Sequence, residues 1–299
     1  MLLALVGPTA SGKTDAGIVL AEALGAEICS VDSMLIYRGM DIGTAKPTAG
    51  ERARVPHHLL DLAEPSERFT VARYQAIARE ELARVARPLL VGGSGLYFRA
   101  AVDDLRFPPE DAAVRAELET HAAAIGAGRL YRRLADLDPI AAAKIEPGNV
   151  RRIVRALEVP AITGTLFSAF AQAWERFDPA RVRAAGVRMD RAALAERIAA
   201  RTHAMLEAGW LGEVRSLLDR GFGGWLTATQ AIGYAELAAH LDGRLSLDEA
   251  EEQTVRRTKE LARRQAAWFR RDPRIRWFDV GPEGALEAVD ALRGYLEAA

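Results

Sequence analysis

An octapeptide near the start of the chain, GPTASGKT at residues 7–14, has the spacing G-x-x-x-x-G-K-[ST]. It follows an apolar run at 2–6 and precedes a helix-forming run at 15–24, the strand–loop–helix setting that a P-loop requires. The chemistry of such a loop is anion binding. Glycines let successive backbone N–H groups converge on an oxyanion, the helix N-terminus adds partial positive charge, and a lysine adds a full one. Gly7, Pro8, Thr9, Ala10, Ser11, Gly12, Lys13 and Thr14 are therefore the expected phosphate cradle, with the Thr14 hydroxyl placed for a Mg2+ ion. The motif leaves open which bond breaks beside the phosphates.

Three further residues are candidates for the same cleft. Asp32 directly follows a second apolar run, in SVDSMLIY, where a carboxylate can act as a base or support magnesium; a turn-forming aspartate is the bland alternative. The GGSG at 92–95 ends another short apolar run and delivers Ser94 to the same edge, or is a plain tight turn. Arg201 falls on the stripe Leu194, Ile198, Met205 rather than on a polar face. A guanidinium on an apolar face must snorkel, pair with a carboxylate or face an anion, and beside a P-loop the anion is expected. His57 and His58 have no partners at metal-ligand spacing and read as structural.

Strand-like and helix-like runs alternate over the first hundred residues: 2–6, a helix to 24, 27–31, a helix over 71–85 capped by Thr70, then 88–91. That alternation predicts an α/β fold, a P-loop NTPase-like parallel sheet flanked by helices, with ligands at the carboxyl ends of the strands. Only helical signals follow, at 110–125, 130–137, 140–145, from 149, and at 166–174, with Pro160 expected to end or kink the fourth. An all-helical insertion domain over 109–178 is expected, and a core of 1–108 with 179–299. Strands at 182–189 and 275–280 and a closing helix complete that core.

The chain of 299 residues has a net charge of −1, which excludes a uniformly basic nucleic-acid binder. Its positive charge is local. Arg151 and Arg155 are four apart on one predicted helix, while Ile153, Val154 and Leu157 can face a core. On a later helix Arg256, Lys259, Arg263 and Arg270 form a ridge, with Val255, Ala262, Ala266 and Phe269 as a separate apolar stripe. A cationic ridge suits a phosphodiester backbone. The single cysteine, Cys29, lies in an apolar run and reads as core. No leader-like or membrane-spanning run stands out, so a cytoplasmic protein with no membrane partner, acting as a monomer, is expected.

The segments GPTASGKT, SVDSMLIYRGMDIGTAKP (30–47), PHHLLD (56–61), LLVGGSGLYFRA (89–100), RRIVRALEV (151–159), QAIGYAE (230–236) and RRQAAWFRR (263–271) occur in order over nearly the whole chain. Together they resemble the bacterial tRNA dimethylallyltransferase (IPP transferase) family. The resemblance implies transfer of a dimethylallyl group from dimethylallyl diphosphate to N6 of the adenosine 3′-adjacent to the anticodon. The cradle would then hold an isoprenoid diphosphate rather than a nucleotide. It implies Asp32 as general base, Thr14 as the Mg2+ ligand, and Lys13, Ser94 and Arg201 on the diphosphate. It places tRNA contacts, to the anticodon stem-loop, at Asp32, Ser33, Met34 and Leu35, at Arg151, Arg152, Ile153, Val154 and Arg155, and at Gln230, Ile232, Gly233 and Tyr234. Arg256 and Arg263 on the basic ridge are expected to join them. Leu35 stands where many members have glutamine, Ser94 replaces a commoner threonine, Ala235 a usually basic residue, and Pro160 is unusual after RALEV. The rival readings are an adenylate isopentenyltransferase acting on free nucleotide, a P-loop small-molecule kinase, and a P-loop RNA-binding module without transfer activity.

Overall fold

The computed structural model describes residues 1–225 and 227–298, without the side chains at 171–173; Leu226 and Ala299, the last residue of the expected core, lie outside the described residues. Strands β1 (Leu2–Val6), β2 (Glu27–Ser30), β3 (His57–His58), β4 (Pro88–Gly92), β5 (Val182–Met189) and β6 (Ile275–Val280) form one six-stranded sheet of order β3-β2-β4-β1-β5-β6. Every pairing is parallel. Central β1 is a continuous apolar run because both of its faces are covered.

The register fixes what the carboxyl edge of the sheet carries. Leu5 lies opposite Val91, and Val91 opposite Ser30. Two residues further along each strand, Gly7, Gly93 and Asp32 emerge side by side, so three loops meet at one edge.

Contacts divide the chain into a unit of 1–103 with 178–299 and a unit of 104–177. In the first, α1 (Lys13–Leu24) ends at Gly25 in the left-handed conformation and packs on the sheet through Ile18 and Leu20, joined by Leu292 and Leu296 of a closing helix. Next come α2 (Ala49–Arg54), α3 (Val71–Arg84), capped by Thr70 as the sequence predicts, and α4 (Gly95–Val102). Cys29 is fully buried, and burial pushes its thiol up to about 12. His57 donates through its Nδ1–H to the Val55 carbonyl, and the His58 ring lies between Glu27 and Glu81, two carboxylate partners that sequence spacing did not reveal.

The second unit holds α5 (Ala112–Ile125), α6 (Ala127–Leu137), α7 (Pro139–Ala142) and α8 (Val150–Thr163), packed around Leu118, Leu130, Leu134, Ile153 and Leu157. The division begins at Asp104, ahead of the expected 109, because residues 104–110 form no regular element and carry no periodic signal. Pro160 does not end α8. It sits in the last turn, and the helix stops at left-handed Gly164, whose N–H reaches the Pro160 carbonyl. The expected α-helix at 166–174 is instead a 3-10 helix, Phe167–Glu175, whose Ser168 N–H is taken by Asp138. The expected helix at 140–145 is the single turn of α7.

The first unit resumes with α9 (Arg191–Glu207), α10 (Trp210–Asp219), α11 (Tyr234–Leu241), α12 (Leu247–Phe269) and α13 (Val289–Glu297). Asp190 caps α9, and a Ser246–Glu249 capping box starts α12. Arg274, 8 % exposed, bridges Asp272 (2.6 Å) and Asp103 (2.7 Å), tying the end of α4 to the turn before β6. Among the described residues no helix is long and apolar enough to cross a membrane.

Candidate active site

The P-loop is built by local backbone geometry. Ala10 and Gly12 adopt left-handed φ values of 64° and 80°, which turn successive amides toward one concavity. A Cβ on Gly12 would lie 2.9 Å from the Ala285 amide, which donates to the Ser11 carbonyl; glycine is required there for both reasons. The Ser11 hydroxyl donates to the Pro8 carbonyl at 2.8 Å, and Lys13, at the start of α1, also donates to that carbonyl. Burial, reinforced by the Arg201 charge and opposed by Asp32, lowers the Lys13 ammonium to about 7. The Thr14 hydroxyl, partly exposed, makes no hydrogen bond among the described residues.

Helix α9 lies against the loop. Arg201 donates to the Thr9 hydroxyl at 2.7 Å, and Arg197, one turn earlier, to the Ala10 carbonyl at 2.9 Å. Burial lowers the Arg201 guanidinium below its ordinary range, while the Asp32 charge works the other way. From α12, Gln265 accepts the Thr9 N–H at 2.8 Å, and a Cβ on Gly93 would lie 2.6 Å from its Nε2. Gln265 thus joins the P-loop to the loop after β4. Sequence reading missed both side chains. Arg197 carried a signal, four residues before Arg201; Gln265 lay inside RRQAAWFRR without one of its own.

Asp32 is the turn-forming aspartate and a cleft carboxylate at once. Its Oδ1 accepts the Met34 N–H at 2.8 Å, and Oδ2 has no hydrogen-bond partner among the described residues. Ser94 sits beside it, its N–H donating to the Val31 carbonyl, and its hydroxyl does not cap α4. Ser33, Met34 and Leu35 are partly exposed next to Asp32.

The rest of that loop is held from α10. The Glu213 carboxylate accepts the N–H groups of Asp41 (2.8 Å), Ile42 (2.8 Å) and Gly43 (3.3 Å), and the Tyr234 hydroxyl (2.6 Å). Burial and the Glu213 charge push the Tyr234 phenol far above its usual range, so it stays a donor. Trp210 lies between two glycines: a Cβ on Gly43 would come within 2.1 Å of its indole nitrogen, and one on Gly233 within 2.0 Å of its ring. Lys46, also buried, holds Asp41 and Asp61, each at 2.7 Å.

These contacts correct part of the expected RNA surface. Tyr234 and Gly233 are buried against Trp210 and Glu213, so they support the loop rather than face a ligand. Ile153 and Val154 are buried in the core of the helical unit, where they pack. Arg155 is committed to the Pro108 and Pro109 carbonyls and to Glu158. Arg151, Arg152, Gln230, Arg256 and Arg263 are exposed, and Ile232 partly so. Arg256 and Arg263 edge a cavity of about 1410 Å³ between α9 and α12, whose floor includes Ile198, Val255 and Ala262, with Pro8 at its wall.

A model of the IPP transferase family matches residues 35–272, and one of the isopentenyl transferases matches 1–61. The chain is 48 % identical to a tRNA dimethylallyltransferase of Desulforudis audaxviator over 297 residues, 96 % of each chain. It is 50 % identical to one of Streptomyces coelicolor over 285 residues, 94 % of this chain and 90 % of the relative. Among solved structures it resembles a tRNA isopentenylpyrophosphate transferase of Bacillus halodurans, with a TM-score of 0.69 and 39 % identity, covering 99 % of this chain and 97 % of the other.

Proposed function

The chain belongs to the IPP transferase family, and from that premise we propose that it transfers a dimethylallyl group from dimethylallyl diphosphate to the N6 amine of the adenosine 3′-adjacent to the anticodon of tRNA. The observation that carries this reading is the shared edge. An anion cradle, a carboxylate with one unpartnered oxygen, and a guanidinium on the cradle converge where β1, β4 and β2 end. A kinase needs the cradle, but the loop at 32–46 and its support from α10 belong to an acceptor side as elaborate as the donor side.

The acceptor amine is a weak nucleophile, because its lone pair is delocalised into the purine ring. Its nitrogen attacks C1 of the dimethylallyl group; the C1–O bond breaks, and the electron pair leaves with the diphosphate. The proton released from N6 passes to Asp32, whose Oδ2 is available to take it. Lys13, Arg201 and the loop amides stabilise the charge that grows on the leaving oxygens. To reach Asp32 the adenine must leave the anticodon-loop stack.

Thr14 fits a Mg2+ ion: it offers an unpartnered hard oxygen at the start of α1, and the described residues gather no group of three or more His, Cys, Asp or Glu as an all-protein cage. The remaining ligands would be diphosphate oxygens and water. When bound, the ion supplies charge neutralisation to the diphosphate.

Labelled dimethylallyl diphosphate offered with unmodified tRNA or with AMP tests the reading. Label in tRNA is expected; label on AMP alone, or consumption of ATP with release of ADP, overturns it.

A further inference from the structure

We propose that Glu213 is a positioning residue for the acceptor: it holds the loop that runs from Asp32 to Lys46 in its RNA-receiving shape, and does so as the built-in anion of a backbone nest. This rests on the transfer reading above. Three consecutive amides, Asp41, Ile42 and Gly43, point at one carboxylate, the geometry by which proteins bind free anions. The fourth donor is the Tyr234 hydroxyl. With both oxygens doubly used, the carboxylate is fully satisfied, which is the condition under which a partly buried charge orders its surroundings.

The position of Glu213 gives the clamp its consequence. It lies on α10, which follows α9 after left-handed Gly209, and α9 carries the two arginines that touch the P-loop. The same stretch of chain therefore grips the donor cradle at one end and the acceptor loop at the other. Asp32 opens that loop, and Lys46 closes it onto Asp61. Trp210, on the first turn of α10, fills the space between Gly43 and Gly233. Glu213 touches neither phosphate cradle nor Asp32, so its loss should be felt by the acceptor before the donor.

Two substitutions separate positioning from folding. Glu213→Ala removes the acceptor for all four donors; Glu213→Gln keeps one oxygen, for Asp41 and Ile42, puts an amide NH2 where Gly43 and Tyr234 donated, and removes the charge. Glu213→Ala is expected to speed hydrogen exchange at the amides of 41–43 at least tenfold and to raise KM for tRNA about tenfold. KM for dimethylallyl diphosphate, and the binding of inorganic pyrophosphate, should stay within twofold. Glu213→Gln, which keeps one acceptor oxygen, should give a smaller rise of about threefold in both the exchange rate and the tRNA KM. Faster exchange with an unchanged tRNA KM would reduce Glu213 to a structural residue and overturn the proposal, as would equal losses for tRNA and donor. If the alanine variant does not fold, the Gln variant and Tyr234→Phe carry the same readouts, and unchanged exchange and KM in both would overturn it. If the unaltered protein transfers no prenyl group, the transfer reading fails by itself; the exchange measurement still reports whether Glu213 holds the loop.

Discussion

Arg201 Nη2 meets the Thr9 hydroxyl at 2.7 Å, across 192 residues of sequence. The contact places a guanidinium lowered by burial directly on the anion-binding loop, where it is costly unless a ligand carries negative charge. The cost makes sense for a group that must meet charge developing on a leaving diphosphate.

Replacing Arg201 by alanine should therefore lower kcat by about 10²- to 10³-fold, with a smaller rise in KM for the donor. Arg201→Lys should recover little, because a lysine cannot bond Thr9 and a phosphate oxygen in one plane. Steady-state kinetics at saturating tRNA checks this; unchanged kcat would make the Thr9 contact purely structural.

Asp32 makes the opposite pattern on the acceptor side. Asp32→Asn preserves the oxygen that accepts from Met34 N–H and removes the base. Turnover should fall by about 10²- to 10⁴-fold while tRNA affinity, read by filter binding, changes less than threefold. Equal losses in both would show that the side chain shapes the loop and does not take the proton.

Lys13 links donor binding to pH. Its ammonium is lowered to about 7 by burial and Arg201, and a bound diphosphate favours the charged form, so binding above pH 7 takes up a proton. Pyrophosphate affinity should fall by up to about tenfold per pH unit as the pH rises past 7, and Lys13→Met should flatten the profile. For stability the sign is the reverse: the unfolded chain, with the ordinary lysine value of 10.5, holds this proton more tightly. The group's contribution to stability thus rises with pH between about 7 and 10.5. Calorimetric titration in buffers of different ionisation enthalpy reads the proton uptake directly.

The buried Arg274–Asp103–Asp272 cluster is a stability element away from the chemistry. Hydrogen bonds to both carboxylates outweigh burial and raise the Arg274 guanidinium. Arg274→Met strands the buried Asp272 carboxylate and leaves Asp103 to Arg99 alone, and should cost about 3–5 kcal/mol, seen as a lower denaturant midpoint. Adding Asp272→Asn to it, with Asp103 kept for Arg99, should recover part of the loss; no recovery would mean that packing, not charge, holds the site.

The middle of the sheet was legible because parallel strands buried on both faces read as apolar runs, as in β1 and β4; 182–189 and 275–280 also coincide with β5 and β6, although β6 is an edge strand with Arg276 and Asp279 exposed. The P-loop was legible because its glycines and Lys13 act through local backbone. Arg201 was found by being out of place on an apolar stripe. Gln265 and Glu213 were not, since Gln265 meets Thr9, and Glu213 the amides of 41–43, more than 150 residues away, and nothing in local spacing marks such a contact. Within QAIGY, two residues stand differently from the expectation for a related reason: Gly233 and Tyr234 are buried against Trp210 and Glu213, while Gln230 is exposed and Ile232 partly so. Similarly, Ile153 and Val154 share a motif with exposed arginines but point into the helical core.

The ridge on α12 gives a test of where RNA lies. Arg256, Arg263 and Arg270 are exposed along one wall of the cavity between α9 and α12, and none is spent on a carboxylate among the described residues. A phosphodiester backbone laid along them would release condensed counterions, and each contact adds about 0.7–0.9 to the slope of log affinity against log salt. Replacing all three by glutamine should therefore reduce that slope for tRNA by roughly 2 while leaving pyrophosphate binding unchanged. An unaltered slope would place the RNA elsewhere and leave the cavity to another ligand, because a guanidinium in contact with phosphate cannot be removed without changing the ions released.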